Sequence, residues 1–408
     1  MKKTLFSLLA LATLTYTTSC SNDDPVGPGI DPNEPGETLV KTGILEADET
    51  WTANNIYVLD GRVVVNEGVT LTIEPGTIIK AEDGQLSNAS TLIVDQGAKL
   101  IANGTAEQPI IFTSINDEIA TGEVESSLDP IADAGQWGGV IVLGKAPISV
   151  ANSQGIDYIE GIPSDLPYGE YGGTDASDNS GSLKYISIRF SGVALEQDAE
   201  IQGLTLGGVG NGTTIENIEI YSNQDDGIEW FGGTVNVKNV IVYGQQDDGL
   251  DIDQAYSGTI ENALVIQTIN SGSAFEIDGP EGNEAGAFTM KNITVDMGGQ
   301  SEQLIADFRD GAAGHLENIY ITNISADQSS VNINDNPSAN NFLDNTLSFA
   351  NWTIDLPEGK TISDLFTLGE QVTVPVDNSG FIDQVGEEGT GADLSAFDWT
   401  LTKLKGLY

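Results

Sequence analysis

From about residue 40 onward, short runs of alternating apolar and polar residues are broken by Gly, Asn and Asp; residues 68–76, 90–97 and 98–104 are examples. Such alternation, rich in Val, Ile and Thr, predicts strands with one buried face. No amphipathic helical pattern follows the first twenty residues. Five segments share one phrase: Glu216-Asn217-Ile218, Lys238-Asn239-Val240, Glu261-Asn262-Ala263, Lys291-Asn292-Ile293 and Glu317-Asn318-Ile319. Their spacings are 22, 23, 30 and 26 residues. One coil of a parallel-strand solenoid takes about this length, with longer intervals carrying loop insertions. The asparagines are then expected to stack as a ladder at a turn, amide to amide, at roughly the ~4.7 Å strand spacing.

The phrases at 104–114 and 135–144 resemble coil openings of the right-handed parallel β-helix family. The predicted fold is therefore all-β, a right-handed parallel β-helix over 40–355, with 356–408 capping its open end. Length alone would suggest two or three domains, but the repeat overrides that prior. A cap is needed because an uncovered last coil exposes strand edges and core.

A second repeat carries acid. Gln224-Asp225-Asp226-Gly227-Ile228-Glu229 is echoed 22 residues on by Gln246-Asp247-Asp248-Gly249-Leu250-Asp251, and Asp253 follows. A weaker third copy ends in Phe275-Glu276-Ile277-Asp278. In a parallel coil equal positions stack, which makes neighbours of Asp225 and Asp247, of Asp226 and Asp248, and of Glu229, Asp251 and Glu276. Arg309 is expected next in that last column. Carboxylates ~5 Å apart repel by about 1 kcal/mol or more. Compensation can come from a hard cation such as Ca²⁺, which takes several oxygen ligands. It can also come from a raised pKa that leaves one carboxyl a general acid. Alternatively, the Asp-Gly pairs are turns whose side chains cap their own backbone in water. The in-register duplication favours a calcium site at Asp225, Asp226, Glu229, Asp247, Asp248 and Asp251. Trp230, Asp253, Tyr256 and Glu276 lie beside it as candidate ligand-binding residues. Of Trp230 and Phe231, one is expected in the core and one outward; Trp137 is expected in the core.

Charge narrows the partners. The chain of 408 residues has 62 Asp+Glu, 15 Lys+Arg and one His, a formal charge of −47. Nothing in that balance neutralises a row of phosphates, which excludes nucleic acid and disfavours anionic membrane surfaces. With one Cys there is no intrachain disulfide, and Cys/His metal sites and Cys-His catalysis are improbable.

That Cys stands at a telling place. Lys2 and Lys3, an apolar stretch from Leu5 to Leu14 too short to span a bilayer, and Ser19-Cys20 read as a lipoprotein signal peptide over 1–19. Cys20 is then the lipidated residue, and 20–39, rich in Pro and Gly, a flexible tether. Ser21-Asn22-Asp23-Asp24 resembles the acidic export signal of Bacteroidota-type lipoproteins, which implies the outer membrane, facing outward.

The phrases at 159–163, 170–173, 179–188, 225–234 and 247–251 together resemble a functionally uncharacterised group of secreted or lipid-anchored, pectate-lyase-like β-helix proteins of Gram-negative bacteria. Three functions stay open. The first is binding of an extracellular glycan through an acidic, calcium-binding face. The second is polysaccharide cleavage, as a lyase or glycoside hydrolase, with the stacked Asp residues as acid, base or Ca²⁺ ligands and Arg309 or Arg189 as a lyase base. The third is a structural or adhesive surface protein. His315 faintly resembles a polygalacturonase Gly-His-Gly and is read as structural. No catalytic residue is assigned.

Overall fold

The computed structural model describes residues 36–193, 201–300, 303–326, 331–376, 381–382 and 390–408. Cys20, the segment expected to be a signal peptide and most of the expected tether lie outside them. From Thr38 onward, strands join side by side in parallel ladders. The coil is the right-handed parallel β-helix that the repeats predict.

In the central coils each turn contributes one long and one short strand. The long strands are Gly181–Arg189, Thr214–Tyr221, Val237–Tyr243, Thr259–Ile266, Phe288–Asp296 and Gly314–Thr322. The short ones are Leu204–Gly207, Ile228–Phe231, Leu250–Asp253, Ser273–Asp278, Leu304–Arg309 and Val331–Ile333.

The repeated asparagines bend the long strands. Asn217, Asn239, Asn262, Asn292 and Asn318 all have φ between 55° and 63°, the left-handed region that Asn tolerates better than most residues. Tyr185 holds the same place one coil earlier. Each bend divides a long strand between two faces, and the short strands form the third. The amides stack as predicted: Asn239 Nδ2 donates to Asn217 Oδ1 (2.9 Å), Asn262 to Asn239 (2.8 Å) and Asn318 to Asn292 (2.6 Å). Between Asn262 and Asn292 the C-terminal segment intervenes, with the Asp393 N–H donating to Asn262 Oδ1 at 2.6 Å.

Alternation decides what faces in. On the short strands Leu204, Leu206, Ile228, Trp230, Leu250 and Ile252 enter the main core. The outer face of this ladder changes character along the stack. Over the early coils it is apolar, with Val64, Ile93 and Ile141, and an inserted segment covers it with Ile148, Ile159, Ile162 and Tyr171. Further on, it carries Glu229, Asp251, Glu276 and Asp307 in successive register.

The last residues differ from the expected cap. Strand Phe366–Leu368 does continue the short-strand ladder onto Val331–Ile333. Residues 390–408, by contrast, turn back along the flank of the central coils. Phe397 packs on outward-facing Ile241 and Leu264, and Leu401 packs with Phe190 and Tyr221. Buried Glu219 anchors this tail, accepting from Leu401 N–H (3.1 Å), Thr402 N–H and Thr402 Oγ1 (both 2.8 Å). Those outward apolar side chains would otherwise stand in water, which is why the tail lies there.

Candidate functional site: an acidic column on the short-strand face

The two Asp-Asp-Gly turns precede strands Ile228–Phe231 and Leu250–Asp253, and their glycines let adjacent coils close. A Cβ on Gly227 would lie 2.5 Å from Gly249 O, and one on Gly249 2.7 Å from Ala274 O. The second Asp of each pair is buried, and it does not cap its own backbone in water. Asp226 Oδ1 accepts the Asp248 N–H at 2.8 Å, and Asp248 Oδ1 accepts the Ser273 N–H. Each therefore fastens its coil to the next. The first Asp of each pair, Asp225 half-buried and Asp247 exposed, stands at the rim.

The predicted stacking of Glu229, Asp251 and Glu276 holds in register. Two triads of carboxylates have ligand atoms within 4.8 Å of one another: Asp225/Asp226/Asp247, and Asp226/Glu229/Asp251. Burial, together with neighbouring carboxylates, pushes the pKa values of Asp226, Glu229 and Asp251 well above the usual carboxylate range. Asp253 is pushed up to about 6, by burial first and then by Glu281. Asp307 also rises to about 6, through burial and then Asp248, against a lowering hydrogen bond from Asn332. Negative charge at this density favours whatever supplies positive charge: protons, a basic side chain or a metal cation.

Three expectations are corrected. Trp230 is fully buried in the core, its ring 5.7 Å from that of Tyr256, which is equally buried and donates to Val235 O at 2.6 Å. Neither can stack on a ligand, because alternation turns Glu229 and Phe231 outward and Trp230 inward. Phe231 is itself covered, edge-on to Tyr171 at 6.0 Å. Arg309 does not continue the Glu229 column: Asp307 does, and Arg309 stands opposite Asp278 one step outward. Its guanidinium nevertheless meets both Glu276 and Asp278, with Nε 2.6 Å from Asp278 Oδ1. Asp253 faces outward beside the column, and Glu276 faces outward within it.

The other candidates lie apart. Arg189 is buried on the long-strand ladder, bonded to Ser187 Oγ (2.7 Å) and Val124 O (2.8 Å). His315 is exposed on that ladder with Nδ1 2.7 Å from Ser348 Oγ, a structural contact. Trp137 is core, as expected.

The sequence pattern did not single out Glu160. The inserted segment brings it to the column, where Gln202 Nε2 donates to it at 3.0 Å and its charge acts on Glu229. Gln202 is itself oriented by Thr205 Oγ1, which donates to its Oε1 at 2.6 Å. Asp278 and Asp307 were also legible as outward positions, once Ile277 and Phe308 were taken as inward.

A family model described as a pectate-lyase-like β-helix domain matches residues 43–402. The chain belongs to that family. No curated protein and no solved structure matches it. The membership supports a carbohydrate-related or surface protein and leaves the ligand open.

Proposed function

We propose that this protein is an outer-membrane lipoprotein, anchored through Cys20 and facing outward, whose acidic column binds calcium and through it an extracellular glycan. The observation that carries the reading is the pair of carboxylate triads in adjacent coils of a β-helix. Asp225, Asp226 and Asp247 form the outer triad. Calcium takes six to eight oxygens at about 2.3–2.6 Å, so ligand atoms on opposite sides of the ion stand about 5 Å apart. A cation held at the rim keeps coordination positions for sugar hydroxyls or carboxylates. It also offsets the repulsion that a chain of formal charge −47 exerts on an acidic glycan. With Trp230 and Tyr256 in the core, recognition rests on oxygen ligands rather than on those rings.

Cleavage remains the second reading, because burial and then the neighbouring carboxylates raise the pKa of Glu229, the direction a general acid requires. The test compares thermal unfolding of metal-stripped protein, with and without calcium, in wild type and in an Asp225→Asn/Asp247→Asn variant. At a hundredfold excess over Kd, calcium should add about 2.7 kcal/mol to wild type. The variant should gain much less. Coincident wild-type curves would remove calcium from the reading. Glycan retention in calcium without new reducing or unsaturated ends separates binding from cleavage.

A further inference from the structure

We infer that the column holds two cations rather than one: beside the rim ion, a second, buried divalent cation is bound by Asp226, Glu229 and Asp251, with Asp226 shared between them. The inference rests on the rim reading only in that shared ligand. Glu229 is 7 % exposed, and no hydrogen bond or ion pair reaches its carboxylate among the described residues. Asp251 Oδ1 is buried and likewise has no partner. The buried Glu229 carboxyl and the buried Oδ1 of half-buried Asp251 converge on Asp226 with ligand atoms within 4.8 Å, and among the described residues nothing donates to either. A buried carboxylate without a donor or counter-ion is costly, and a hard cation satisfies all three groups at once.

The two sites differ in what surrounds them. The rim triad includes exposed Asp247, so its ion exchanges with solvent and can take a ligand. The inner triad joins Glu229 on one strand to Asp251, its register partner on the next. Its ion therefore clamps two coils and offers a glycan little access. A carboxylate shared between two metal ions about 3.5–4 Å apart is a common arrangement in two-metal sites.

Native mass spectrometry of the metal-stripped protein, reloaded with calcium chloride, counts the ions directly, and calorimetry gives the stoichiometry in solution. Wild type should bind two calcium ions per chain. Glu229→Gln, nearly isosteric, should lose the inner ion and keep one; Asp247→Asn should lose the rim ion and keep one. Far-UV circular dichroism of each variant checks that the coil is intact, and the wild-type count needs no variant at all. One ion on wild type, weakened by Asp247→Asn and indifferent to Glu229→Gln, would overturn the second site and leave the proposed function standing. No ion on wild type would overturn both. Two ions on Glu229→Gln would remove Glu229 as a ligand and overturn the inner site as described.

Discussion

Two columns of charge run along this β-helix, built by the same stacking rule. Beside the asparagine bends, the register places Lys184, Glu216, Lys238, Glu261, Lys291 and Glu317 one above another, alternating in sign at every coil. Lys184 and Glu216 meet at 3.2 Å, and Lys291 and Glu261 at 3.4 Å. On the short-strand face the corresponding column reads Glu229, Asp251, Glu276, Asp307, with one sign throughout until Asn332. The first column is locally neutral and partly exposed, so each pair is worth about 0–1 kcal/mol. The second stacks like charges, partly buried, at a cost of about 1–3 kcal/mol per neighbouring pair for an effective dielectric between water and protein surface. Parallel stacking accommodates either arrangement, so strand pairing gives no reason for the second. Arg309 offsets that cost at Glu276 and the proposed cation offsets it at Glu229 and Asp251, which separates a stretch serving the fold from the stretch we propose serves a ligand.

The largest effect expected on the neutral side comes from the bend and not from its charges. Asn239 accepts from Asn262, donates to Asn217 and sits at φ 56°. Asn239→Ala loses both amide contacts and puts a residue with no local hydrogen bond in the left-handed region. The expected loss is about 2–4 kcal/mol in urea unfolding. Asn239→Gly should recover the backbone part and leave the amide part. If Asn239→Ala falls within error of wild type, the ladder contributes nothing to stability.

This division was unevenly legible in the sequence. The Asn phrase recurs with apolar alternation on both sides, and it gave fold, coil length and ladder, because only a stacked turn makes the same residue useful every coil. The duplicated Asp-Asp-Gly phrase gave the register of Asp225 through Asp251 for the same reason. Strand parity was not fixed by it. Whether Trp230 or Glu229 faces in depends on which neighbours line the core, and Ile228 and Leu250 settle that only once the coil is closed. Arg309 was placed one column off because loops of unequal length separate Glu276 from Asp307, which hides their pairing. Glu160 arrives from an insertion with no repeat of its own. The path of residues 390–408 was hidden likewise, since it is set by outward apolar side chains on strands far away in sequence.

The acidic column should show itself through pH. An acid whose folded pKa is raised keeps its proton in the native state, while the unfolded chain releases it from about pH 4. Its contribution to stability is therefore complete below that value and is lost as pH rises through the folded pKa. That point is about 6 for Asp253 and Asp307, and it is raised well above the usual carboxylate range for Asp226, Glu229 and Asp251, by burial first and then by neighbouring carboxylates. Metal-stripped protein should be markedly less stable at pH 8 than at pH 5, and calcium should flatten the slope. Asp251→Asn should stabilise the stripped protein at pH 8 by about 1–3 kcal/mol, by removing one charge from the stack. The same change should weaken the calcium-loaded protein. An equal, unsloped response with and without calcium would show that the column carries no linked charge.

Glu261→Gln sharpens the contrast from the other side, with the smallest effect. Glu261 lies between Lys238 and Lys291 in register and pairs with Lys291 in partly exposed surroundings. Removing its charge leaves two lysines with one fewer acid between them, so the sign should be destabilising, opposite to Asp251→Asn in stripped protein. The size should be about 0.5 kcal/mol, shrinking further in 1 M salt, where screening acts over about 3 Å. Because calcium has no business on the neutral column, the shift should be the same in calcium and in its absence. A calcium-dependent change at Glu261 would mean that the two columns are electrostatically coupled through the coil, and that the division between them is less sharp than their geometry implies.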